Sequence, residues 1–88
     1  MKLNLKELPV EVSPDGTIEH KDIRKDFGNF LWNYSQDIGL SDIGRDIYRS
    51  EGEIDVPDTY RDAITELVNR STLLAPFKRA ILKQVNKQ

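Results

Sequence analysis

Few residues in this sequence carry chemistry by type, and their spacing decides what each can do. The run Gly39-Leu40-Ser41-Asp42-Ile43-Gly44-Arg45-Asp46 has the glycine spacing of a phosphate-binding loop. That loop needs Lys and then Ser or Thr after its second glycine, where Arg45 and Asp46 stand. Asp46 would repel a phosphate and has no hydroxyl to offer magnesium, so nucleotide hydrolysis is set aside. Asp15-Gly16 lacks the alternating oxygen ligands and closing Glu of a calcium loop. Glu51, Glu53 and Asp55 are the densest carboxylates. General acid–base work needs burial or a close like charge to lift a pKa, and these acids sit in a polar, glycine-containing connection that water reaches. His20 is the only histidine, and cysteine is absent, which leaves no typical zinc ligand set. At its junction between Glu19 and Lys21 an exposed or capping imidazole is the ordinary outcome. The residues call for no catalytic group, metal or cofactor, and the sequence reads as a non-enzyme.

Trp32 is the most informative single residue. On a wheel of about 100° per residue, Ile23, Phe27, Phe30, Leu31, Tyr34 and Ile38 form one apolar stripe, whereas Trp32 falls about 150° from its centre. One packing surface cannot bury both. Gly28, one turn earlier on the second face, leaves a bare slot beside the indole. Either the N-terminal hairpin or the last helix covers this face, or Trp32 stands exposed as an anchor for a partner that approaches closely at Gly28. Trp32 and Gly28 are therefore the candidate partner-binding residues.

These residues need a scaffold, and 88 residues permit one small domain spanning 1–88. Leu3, Leu5 and Val10-Glu11-Val12 alternate at strand period, and Ser13-Pro14-Asp15-Gly16 is a turn. Residues 1–20 thus predict a β-hairpin in which Thr17-Ile18-Glu19 returns against 10–12. From Asp22 the period becomes helical. Helix one spans 22–38 and ends at Gly39; Ser41 caps helix two, 42–50, whose Ile43 and Ile47 face the core. Glu53-Ile54-Asp55-Val56 alternates like a short extended piece, and Pro57 opens helix three, 58–70, with a stripe of Tyr60, Ala63, Ile64, Leu67 and Val68. Ser71 and Thr72 turn the chain into helix four, 75–86, where Leu74, Phe77, Ala80, Ile81 and Val85 repeat at helical spacing before a solvated end at 86–88. The expected fold class is mainly α (α+β), an N-terminal β-hairpin packed on a compact bundle of about four helices.

Charge is unevenly placed on a chain of net charge −2. Residues 51–66 hold six acids and one base, Arg61, and residues 67–88 hold five bases and no acid. Complementing helix dipoles accounts for such a pattern at about 0.3–1 kcal/mol per charge. The same asymmetry lets copies of the chain meet head to tail, or offers a basic surface to an acidic partner. For nucleic acid, helices 58–70 and 75–86 have the layout of a helix-turn-helix, with Lys78, Arg79 and Lys83 as phosphate contacts. Against it stand the acidic helix three, few base-reading side chains at the start of helix four, and an isoelectric point near 5.3, where basic DNA-binding domains exceed about 9.

The N-terminus lacks the apolar run of a secretory signal, and no stretch approaches the ~20 apolar residues of a membrane span. The expectation is a cytoplasmic protein without a membrane partner. The stretch Asp42-Ile43-Gly44-Arg45-Asp46-Ile47-Tyr48-Arg49-Ser50-Glu51-Gly52-Glu53-Ile54-Asp55-Val56-Pro57-Asp58, followed by an amphipathic helix and an Ala75-Pro76-Phe77 helix start, resembles short accessory proteins of prophages and tailed-phage structural gene clusters. The resemblance covers residues 22–85. It implies an assembly or partner-binding role in virion morphogenesis and assigns no functional residue. The sequence reading is a small non-enzymatic interaction or assembly module, phage- or prophage-encoded, acting through a protein partner or self-association. The alternative is a nucleic-acid-binding regulator using the 58–86 pair.

Overall fold

Alternation at the N-terminus produces strands, but one of them finds its partner far along the chain. In the computed structural model, which describes residues 1–87, β1 (Lys2–Asn4) pairs antiparallel with β4 (Glu53–Asp55), placing Leu3 opposite Ile54. β2 (Leu8–Glu11) and β3 (Ile18–Lys21) form a hairpin with Val10 opposite Glu19. Residues 17–19 return against 10–12 as expected, but the hairpin expected over 1–20 is corrected at its start: Lys2–Asn4 belongs to a second two-stranded sheet. The turn is built as its residues dictate. Gly16 takes a φ of 92° and donates its N–H to the Ser13 carbonyl, while the Asp15 carboxylate accepts from both the backbone and the hydroxyl of Thr17. Of the two hairpin strands only β2 reaches the interior, through Leu8 and Val10; β3 lies on the outside.

The helices are α1 (Arg24–Tyr34), α2 (Ile38–Arg49), α3 (Arg61–Arg70) and α4 (Ala75–Asn86), with one 3-10 turn at Asp58–Tyr60 before α3. The fold is mainly α with N-terminal strands. Helix four lies where its periodicity puts it, with Pro76 in its first turn. The boundary between the first two helices does not. α1 stops at Tyr34, and Asp37 caps α2 by accepting from the Leu40 N–H at 3.3 Å, a role expected of Ser41. Gly39 ends no helix; it lies inside the first turn of α2, where an added Cβ would collide with the Tyr60 hydroxyl. With α1 shortened, Tyr34 and Ile38 fall outside the buried stripe and are 69% and 80% exposed. Ala63 and Leu74, placed in stripes by spacing, are also exposed. Gln88, part of the expected solvated end, lies outside the described residues.

One hydrophobic cluster joins the four helices to β1 and β2. Phe27 and Leu31 from α1, Leu40 and Ile47 from α2, Ile64 and Val68 from α3, and Ile81 and Val85 from α4 are buried together with Leu3, Leu8 and Val10. α4 lies across β1 and β2 and carries a second tie: the Gln84 carboxamide accepts from the Asn4 N–H at 2.9 Å and donates to the Asn4 carbonyl at 3.0 Å. The Met1 ammonium is buried beneath the other end of β4. It donates to the Val56 carbonyl and to Asp58 Oδ1, each at 2.7 Å, and the Asp58 hydrogen bond raises its pKa above the ordinary 8.0.

Candidate interaction groove

The face of α1 opposite its buried stripe is set by Gly28 and Trp32. Removing the side chain at Gly28 lets the backbone of α2 come against α1, and Gly44 does the same from the other side. The contacts run from Gly28 to Gly44 and from Trp32 to Ser41, whose hydroxyl donates to the Trp32 carbonyl at 2.9 Å, so the helices are antiparallel. The close approach that the sequence offers to an outside partner at Gly28 is therefore made by this chain's own α2, and Gly28 is buried. That corrects its role from docking slot to helix–helix contact.

Trp32 remains 47% exposed beside this crossing. The flank of α2 lies beside it. Between the two helices runs a groove of about 310 Å³ bounded by Asn29, Trp32, Arg45, Tyr48 and Arg49, with the two glycines at its floor. The Arg45 guanidinium stands over the indole at 5.8 Å, and Lys25 Nζ stands over the Tyr48 ring at 6.0 Å. Arg45 also pairs with Asp42 at 3.7 Å. The groove thus presents two half-exposed aromatic rings and three cations, Lys25, Arg45 and Arg49, on a protein whose net charge is −2. Spacing in the sequence shows Gly28 and Trp32 but not the α2 wall, because nothing local reveals that Gly44 and Tyr48 face them.

The other candidate residues are dispersed. His20 is exposed on β3, and Glu51, Glu53 and Asp55 are exposed along the α2–β4 connection and β4. The run with P-loop glycine spacing is helix rather than loop, since Gly39 and Gly44 both lie in α2. Among the described residues no group of three His, Cys, Asp or Glu side chains could hold a metal ion. Lys78 is turned back to donate to the Asn69 carbonyl at the end of α3, at 3.2 Å, whereas Arg79 and Lys83 are exposed one turn apart. The three cations assigned to phosphate contact therefore do not share one row. A second, apolar hollow of about 270 Å³ lies between Ile23 and Phe27 of the α1 entry and Leu73, Leu74 and Phe77 of the α4 entry. No described helix is long and apolar enough to cross a membrane. The chain matches no protein-family model, no curated protein and no solved structure.

Proposed function

We propose that the protein is a small non-enzymatic interaction module that engages a protein partner through the α1–α2 groove, with Trp32 as the anchor. The observation that carries this reading is the half-exposed indole beneath Arg45, next to Tyr48. Trp, Tyr and Arg are the side chains most enriched where binding energy concentrates, and here they are held on two rigid, glycine-locked helices. A role in assembly, as the resemblance to phage accessory proteins implies, and a cytoplasmic setting are part of the same proposal. The test is site-specific photo-crosslinking in cells that express the protein. A benzophenone amino acid at Asn29, on the groove rim, is expected to trap a discrete protein adduct that the same group at exposed Asn86 does not. Absence of any Asn29-specific protein adduct retires the reading, and a nuclease-sensitive adduct replaces it with nucleic-acid binding.

A further inference from the structure

The nature of the partner can be taken further, resting on the interaction reading above: we infer that the groove docks a second copy of this chain, through that copy's acidic 51–55 stripe. Glu51, Glu53 and Asp55 occupy alternate positions of a connection that becomes β4, and all three are exposed. Glu53 and Asp55, alternate residues of the extended β4, point to one side about 6.6 Å apart, with Asp55 also 3.4 Å from the Met1 ammonium, and Glu51 precedes them across the bend at Gly52. Arg45 and Arg49 stand one turn apart on the exposed flank of α2, about 6 Å from each other. Two guanidinium groups and two carboxylates therefore match in spacing as well as in sign.

The groove and the stripe are also neighbours, since Glu51 lies two residues past Arg49. A nucleic-acid strand laid along the groove would meet these carboxylates, and the net charge of −2 would not draw it in. A second copy resolves both ends at once: its stripe answers the groove, and its groove answers the first copy's stripe, as a two-fold contact requires. Trp32, Tyr48 and Ile38, which shares the Arg45 flank of α2 by helical period, supply exposed apolar surface for the centre of such a contact. A standard interface takes about 800 Å² per partner, roughly a seventh of the 5658 Å² of this molecule.

The test is sedimentation across protein concentration and salt, on the full chain and on two charge-reversed variants, Arg45→Glu with Arg49→Glu, and Glu51→Arg with Glu53→Arg. The wild type is expected to move from 10.1 kDa to twice that mass as concentration rises at about 20 mM salt, and to return to monomer at about 0.5 M. Each variant taken singly is expected to dimerise at least about tenfold more weakly, and an equimolar mixture of the two is expected to restore the heavier species. A wild type that stays monomeric at low salt overturns the proposal, as does a dimer indifferent to both reversals or a mixture without rescue. Should one variant fail to fold by circular dichroism, the wild-type salt series decides in its place. A monomeric wild type that still gives an Asn29 adduct with a different protein sinks the second-copy partner while leaving the interaction reading intact. Tight, Arg45-dependent binding of a labelled single-stranded DNA oligomer by a monomeric protein overturns both.

Discussion

Gly28 of α1 and Gly44 of α2 meet backbone to backbone: a Cβ built on Gly28 would lie 2.7 Å from the Gly44 carbonyl oxygen, and one on Gly44 would lie 2.6 Å from the Gly28 carbonyl oxygen. Neither obstacle is a side chain that can rotate away. Gly44→Ala must therefore push the helices apart, at about 1–3 kcal/mol for overpacking, against roughly 1 kcal/mol returned by the better helix propensity of alanine. Gly39→Ala collides with the Tyr60 hydroxyl, the far end of a rotatable ring, and with no backbone atom, so its loss is expected to be the smaller. Urea midpoints for the two variants check the order, and a Gly44→Ala protein as stable as Gly39→Ala contradicts a backbone contact at the crossing.

A second prediction concerns the edge of β1. The Gln84 carboxamide serves Asn4 as a neighbouring strand would, accepting from its N–H and donating to its carbonyl. Gln84→Ala leaves both groups of a half-buried backbone unpaired, which is expected to destabilise by about 1–3 kcal/mol. Gln84→Glu keeps the acceptor and loses the donor, so it should fall between wild type and alanine at neutral pH. Amide exchange at Asn4, faster in both variants and fastest in alanine, is the readout; equal protection in all three would disconnect Gln84 from the strand.

These two contacts also mark where the sequence was legible. Period 3.6 with Pro76 places α4 at its observed limits, and Pro14 with Gly16 places the hairpin turn, because each signal is local. The β1–β4 pairing and the Gly28–Gly44 crossing join residues with no shared period. The same limit governed the groove: Trp32 stands out by its angle on one helix, but Arg45 and Tyr48 become its neighbours only through tertiary packing. The misplaced helix boundary has a local cause. Asp37 and Ser41 are both good caps, and the Ser35 hydroxyl settles the choice by accepting from the Asp37 N–H and donating to the Asp37 carbonyl, which fixes the turn ahead of Ile38.

Two ion pairs set opposite pH limits. Hydrogen bonds from Arg24 hold the Asp22 carboxyl at about 2, below its ordinary 3.8, so this contribution is whole above 3.8 and disappears as pH falls toward 2. At the other end, Asp58 raises the Met1 ammonium above 8.0, so that contribution is whole below 8.0 and is lost as pH climbs through the raised value. The same contact lowers the Asp58 carboxyl, which ties it to acid loss as well. In a chain with a free Met1 amine, Asp58→Asn is expected to lower the amine's titration midpoint by NMR and to flatten the alkaline limb of the stability curve. An unmoved midpoint would show that Asp58 does not hold the ammonium.

Adjacent residues on α1 provide the last prediction, because Leu31 is fully buried and Trp32 is 47% exposed. Leu31→Ala opens a cavity in the shared core and is expected to cost about 2–5 kcal/mol. Trp32→Ala removes a larger side chain, yet one that touches the protein mainly through Arg45 and the α2 flank, so its loss should stay below about 1.5 kcal/mol. Since Trp32 is the sole tryptophan, iodide quenching of the native protein reads this residue alone, and quenching is expected to reach a substantial fraction of that in the unfolded chain. Quenching should fall, and the emission shift to the blue, under any condition that seats a partner on the groove. A native indole shielded from iodide in the dilute monomer, together with a Trp32→Ala loss as large as that of Leu31→Ala, would make Trp32 a core residue and leave the groove without its anchor.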